Sequence, residues 1–281
     1  MARLESTLRS SLVIALATVS LSAHDLWIPP GRVDEIRALS ERPLQLGGGF
    51  QAESSIPFSR LVSTRLELST PRGVVDLLDP DSGARISECL ESGGTVVLAM
   101  EVPAATLALD GAKFNAYLEE EGHIDVLARR RREDIDGKPA RERYTRHIKA
   151  VFTGASDPGH HNSWSHRFGL PLEIVPDTHP DTLRRGSSFG VIVLIDGEPA
   201  PGQRVVLYSR DEAGRVAEQA VRTSENGSAR FEIRNGGEHL ARTTALAESN
   251  DGLVDYESRW AAFSFFVPVV RSDESDRKRA P

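Results

Sequence analysis

A single cysteine, Cys89, leaves this chain of 281 residues with no possible internal disulfide, so its stability has to come from packed cores. Cys89 lies away from any small-residue cleavage site, which excludes an acylated lipoprotein cysteine, and it reads as a buried thiol. After an apolar run at the N-terminus, no segment approaches the roughly 18 uninterrupted apolar residues of a membrane span. An excess of basic charge is also missing: the formal net charge is −7, and no face reads as a phosphate-binding surface, so nucleic acid is not an expected partner. The run Arg129–Arg132 is followed at once by Glu133, Asp134 and Asp136, the pattern of a solvated element end. There is no G-x-S-x-G elbow, no H-E-x-x-H helix and no phosphate loop, and the expectation is that the chain is not an enzyme.

What is present begins at the N-terminus. Arg3 and Arg9 precede the apolar run Ser11–Val19, the layout of a secretory signal peptide over residues 1–23. The protein is therefore expected to be periplasmic or secreted, with no stable membrane insertion after cleavage. Cutting after Ala23 puts His24 first, where its amine and ring nitrogen together chelate Cu(II) or Ni(II). Cutting after Ser22, with Ser20 at the −3 position, fits the small-x-small rule better and leaves Ala23-His24-Asp25. The competing reading is that His24-Asp25-Leu26-Trp27 simply starts a strand with Leu26 or Trp27 in the core.

From Leu44 to Met100 short alternating runs are punctuated by turns, among them Gly47-Gly48-Gly49 and Asp79-Pro80-Asp81-Ser82-Gly83. Residues 114–132 switch to spacings of three and four, which predict one short helix or two broken at Gly122. Residues 142–152 alternate again, as a strand with one charged face carrying Arg143, Thr145, His147 and Lys149. A polar stretch at 156–169 separates this from a second series of strands, in which Asn226-Gly227 is a hairpin-like signal. The fold class expected is mainly β, with two β-sandwich-like domains. Residues 24–155 form a β-rich domain with a helical insertion near 114–132, and residues 170–270 form an immunoglobulin-like sandwich. Residues 271–281 read as a disordered tail.

The motifs Ala23-His24-Asp25-Leu26-Trp27, Tyr117-Leu118-Glu119-Glu120-Glu121-Gly122, Glu142-Arg143-Tyr144 with Arg146 and Lys149, Leu172-Glu173-Ile174-Val175-Pro176, and Trp260 carry a resemblance. On them the chain resembles the domain-of-unknown-function 4198 family of exported bacterial proteins, related to periplasmic components of nickel and cobalt uptake systems. The resemblance implies handling of a transition metal outside the cytoplasm. The stretch Asp196-Gly197-Glu198-Pro199, with Gly202 and Glu225-Asn226-Gly227, is similar to immunoglobulin-like modules of the carboxypeptidase regulatory type, a likeness of fold and not of function. The motif residues from Glu142 to Lys149 read equally well as a buried ion-pair network.

Five of the eight histidines fall within residues 147–179, and imidazole is a common ligand for Ni, Cu and Zn. The candidate metal ligands are His24, His123, His147, His160, His161 and His166. Each has a plainer reading. His160, His161 and His166 lie in a stretch that reads as a polar linker, and His123 reads as a cap at a helix end. His239 reads as structural. The function expected is reversible binding of Ni(II) or Co(II), or of Cu(II), with delivery to a membrane metal transporter. The alternative is a metal-free structural or interaction module of the cell envelope that binds a protein or glycan.

Overall fold

The computed structural model describes residues 24–58, 63–91, 93–154 and 162–269. Residues 1–23, which read as a signal segment, His160, His161 and residues 271–281, which read as a tail, lie outside the described residues. In chain order come β1 (Asp25–Trp27), β2 (Gly31–Arg32), a 3-10 segment (Val33–Glu41), β3 (Pro43–Gly48) and β4 (Gln51–Pro57). These are followed by β5 (Arg65–Thr70), β6 (Gly73–Asp76), α1 (Ser82–Glu91), β7 (Val96–Leu109), α2 (Gly111–Glu121), α3 (Ile124–Arg132) and β8 (Ala140–Thr153). The second half carries β9 (Leu172–Pro176), β10 (Ser188–Ile195), β11 (Glu198–Pro199) and β12 (Arg204–Arg210). It ends with β13 (Val216–Arg222), β14 (Ser228–Glu232), β15 (Gly237–Glu248) and β16 (Tyr256–Val267). The protein is mainly β, and α1 in the first half has no counterpart among the elements expected from sequence.

One large sheet runs β13-β12-β15-β16-β8-β7-β5-β6, with β2 beside β8. Its central pairing, β16 with β8, is parallel and sets Ala262 opposite Ile148. Strands from the stretches 24–155 and 170–270 thus share a single sheet. A parallel pairing between segments so far apart leaves no turn signal between them, so spacing could not reveal it. A second sheet of β9, β10, β11 and β14 covers one face.

Alternation along each strand builds two cores from this sheet. On one face Ala261, Phe263, Phe265 and Val267 of β16, with Val205, Leu207 and Val151, pack against Leu172, Ile174, Phe189, Val191 and Phe231 of the covering sheet. On the other face Ile148, Ala150 and Phe152 meet the 3-10 segment and β3, and Trp260 and Tyr144 meet α2 and α3. One prediction of detail changes. Asn226-Gly227 does not close a hairpin: β13 pairs with β12 and β14 pairs with β10, so the chain crosses from one sheet to the other there. The charged face of β8 is buried at its C-terminal half, where His147 and Lys149 point into the sandwich and are 1% and 2% exposed, in keeping with the reading of Lys149 as part of a buried ion-pair network.

The helical pair stands where its residues predict. The Asp110 side chain accepts a hydrogen bond from the Lys113 amide and caps α2. Gly122, at φ +81°, ends it in the left-handed region. In α3 the four arginines fill the last turn, where the helix dipole favours them. Arg130 is buried rather than solvated: its guanidinium lies over the rings of Phe114 and Tyr256 and donates to the carbonyls of Ile135 and Lys138.

Candidate functional site

β1 is short because Pro29 and Pro30 follow it, and it lies on β3 with Asp25 opposite Gly47. The β3–β4 hairpin turns at Gly49 and Phe50, both with positive φ, +57° and +62°. Phe50 accepts this unusual backbone because its ring is fully buried, 5.4 Å from Trp27 and with the Arg210 guanidinium 4.2 Å above it. The pinned hairpin brings Glu53 to His24, whose Nε2 lies 2.7 Å from Glu53 Oε2. Glu53 could not be read from sequence, since it sits 29 residues from its partner in a run of ordinary polar residues.

Below His24 lies a chain of buried polar groups. Asp25 Oδ2 is 3.2 Å from Arg242 Nε, a charge contact too poorly aligned for a hydrogen bond. Arg242 Nη1 donates to Glu121 Oε2 at 2.6 Å. Thr244 donates to the same oxygen at 3.1 Å, and His123 Nε2 is 3.0 Å from Thr244 Oγ1. Arg146 donates to the His24 carbonyl at 3.2 Å. Burial pushes the Asp25 carboxyl up to about 7, against the downward pull of Arg242. Glu121 Oε1, Asp25 Oδ2 and the Nε atoms of Arg242 and Arg146 are buried without hydrogen-bond partners. The signal for this network is Arg242, a charge in the middle of β15 with Leu240 and Ala241 before it and Thr243, Thr244 and Ala245 after it.

His123 and His24 therefore sit at the two ends of one polar chain, on the helical side of the large sheet. His123 is the residue before α3, but its ring bonds Thr244 and does not cap the helix. Burial lowers its pKa.

His147 and His166 lie on the opposite side of the sheet, in the sandwich. Neither ring nitrogen of His147 makes a hydrogen bond of good geometry, and burial lowers its pKa to about 4. The His166 ring stands edge-on to Phe168 at 4.8 Å, and its carbonyl accepts from Lys149 Nζ at 3.3 Å. Lys149 Nζ also donates to Glu173 Oε1 at 2.8 Å, and both side chains are almost fully buried. The six candidate histidines are thus not gathered into one centre. Among the described residues no group of three or more His, Cys, Asp or Glu side chains is placed to hold a metal ion. What the geometry offers chemically is an imidazole–carboxylate pair at His24 and Glu53, and a dry amine–carboxylate pair at Lys149 and Glu173.

No curated protein matches this chain. Among solved structures it is similar to the crystal structure of a tetra-tandem repeat in the extending region of a large adhesion protein, at 13% identity and a TM-score of 0.21. That match covers 86% of this chain, and the chain spans about half, 49%, of the matched structure. Residues 21–246 match the family model described as Domain of unknown function (DUF4198), from just before β1 into β15, and the chain belongs to that family.

Proposed function

We propose that the chain acts outside the cytoplasm and binds one nickel, cobalt or copper ion reversibly at His24, for delivery to a membrane metal transporter. The observation that carries this reading is the 2.7 Å contact between His24 Nε2 and Glu53 Oε2. A carboxylate on one ring nitrogen fixes the orientation of an imidazole and raises the basicity of the other nitrogen, the usual outer partner of a ligating histidine. His24 Nδ1 makes no hydrogen bond among the described residues and is the ligating atom in this reading. Cleavage after Ala23 adds the α-amine as a second donor to the same ion. His123, His147 and His166 are not ligands in this reading, because the sheet separates the last two from His24 and Thr244 holds the first.

The test is a calorimetric titration with Ni(II), Co(II) and Cu(II) on exported protein whose N-terminus has been fixed by intact mass. Stoichiometric binding is expected. Its loss is expected in His24→Ala, with a weakening of about tenfold or more in Glu53→Gln and no change in His166→Ala. Equal binding by wild type and His24→Ala sinks the reading.

One observation favours the alternative of a metal-free envelope interaction module. β4 forms the outer edge of its sheet and is exposed along nearly its whole length, and an open edge can add a strand from a partner. Failure of the metal titration with the N-terminus intact leaves that reading standing.

A further inference from the structure

The pair Lys149 and Glu173 plays no part in the proposed metal chemistry, and its surroundings are unusual for a structural ion pair. Lys149 projects from β8 in the large sheet and Glu173 from β9 in the covering sheet, so the two side chains bridge the sandwich. They are 2% and 1% exposed. Lys149 Nζ lies 5.3 Å from the ring centre of Phe168 and 5.9 Å from that of Phe263, and besides Glu173 it donates to the His166 carbonyl at 3.3 Å. Around the carboxyl group the backbone is arranged as a cradle. Oε1 accepts from the Phe168 amide at 2.9 Å and from Lys149 Nζ at 2.8 Å. Oε2 accepts from the amides of Gly169 at 2.9 Å and Leu170 at 3.3 Å.

We propose that Lys149 and Glu173 condense to an intramolecular isopeptide bond that joins β8 to β9 and so ties the two layers of the sandwich together covalently. A proton passes from the ammonium to Oε1 along their hydrogen bond, which converts the ion pair into a neutral amine and a carboxylic acid. The Nζ lone pair attacks Cδ, and the carbonyl electrons move onto Oε2. That oxygen already sits on the Gly169 and Leu170 amides, donors of the kind that stabilise a tetrahedral oxyanion. The Cδ–Oε1 bond then breaks, and Oε1 leaves as water, carrying its own proton and one from the nitrogen. The product is an amide whose oxygen, formerly Oε2, keeps the same two donors. No oxidant, cofactor or second protein is consumed.

Three features drive the step forward. Burial holds the Lys149 ammonium below its ordinary pKa, which makes the nucleophilic form accessible. Condensation replaces two desolvated charges with one neutral amide, removing the cost of keeping an ion pair in a dry core. The two sheets hold the reacting groups in contact, so no encounter entropy remains to be lost.

The experiment is intact mass spectrometry of the full purified chain, with its N-terminus mapped. The expected mass is lower than that of the sequence by one water molecule. A proteolytic digest is expected to yield one branched peptide containing both Lys149 and Glu173. Lys149→Arg keeps the positive charge but supplies no amine nucleophile, and it restores the unmodified mass. The deciding measurement is made on wild type, so a variant that folds poorly does not blur it. Folded wild-type protein that retains the full sequence mass after prolonged incubation at neutral pH, with Lys149 and Glu173 recovered in separate linear peptides, overturns the proposal.

Discussion

His147 and His239 are buried on the sandwich side of the large sheet, at 1% and 0% exposure, and burial lowers the pKa of each to about 4. In the unfolded chain both rings take a proton near the ordinary value of 6.5. Between that value and about 4 the unfolded state therefore binds more protons than the native one. Their contribution to stability is fully present above the upper end of the window and is lost as the pH falls through it. Each shift corresponds to about 3 kcal/mol at most. Asp25 runs the other way: its raised folded pKa makes its contribution fall as the pH rises toward about 7. A variant comparison, and not the bare pH curve, isolates the histidine. His147→Leu is expected to reduce the loss of urea stability on acidification, and identical pH slopes for wild type and variant would exclude the assignment. The burial of this histidine was not legible from sequence. Alternation placed His147 and Lys149 correctly on one face, but nothing in the spacing announces that Glu173 and the backbone at 168–170 cover that face. Polar side chains on one side of a strand usually mean water.

The α2–α3 corner shows what local chemistry does reveal. Spacings of three and four read as one short helix or two broken at Gly122, and the structure has that break. The helix α1 shows the opposite. Asp79-Pro80 reads as a turn between strands, yet Asp79 accepts from the Asp81 and Ser82 amides and leads into the helix. Gly122 does more than end α2. Its left-handed backbone turns the chain so that Glu121 faces Arg242 while His123 reaches Thr244. A Cβ at this position would also come within 2.8 Å of the Arg204 side chain. Gly122→Ala is expected to lower unfolding free energy by about 1–2 kcal/mol, and Gly122→Asn by less, since asparagine tolerates this conformation. Chemical denaturation of the two variants checks this ranking. Stability of Gly122→Ala equal to wild type would show that the corner can close without the left-handed residue.

Across the whole molecule the parallel pairing of β16 with β8 decides how the chain behaves. The sequence divides at residues 156–169 by composition, and each side reads as a complete set of strands. In the structure β8 lies between β7 and β16, so hydrogen bonds from both halves meet on one strand. Phe263 sits close to that junction. It is fully buried, is opposite Lys149 in the pairing, and stacks at 6.5 Å on Phe189 of the covering sheet. Truncating such a side chain costs about 3–5 kcal/mol. If the halves folded independently, that loss would fall on the second half alone. With a shared sheet it is felt by the whole molecule, and two reporters can separate these cases. Trp27 packs on Phe50 of the β3–β4 hairpin and in one cluster with Val206, Tyr208, Leu240 and Ala262 of the large sheet, and Trp260 on β16 packs against α2, 5.8 Å from Tyr117. Single-tryptophan versions that retain one or the other are expected to report coincident urea transitions, as two-state unfolding requires. Phe263→Ala is expected to shift both transitions equally. A shift confined to Trp260, with Trp27 unfolding at its original midpoint, would mean that the large sheet does not unfold as one cooperative unit.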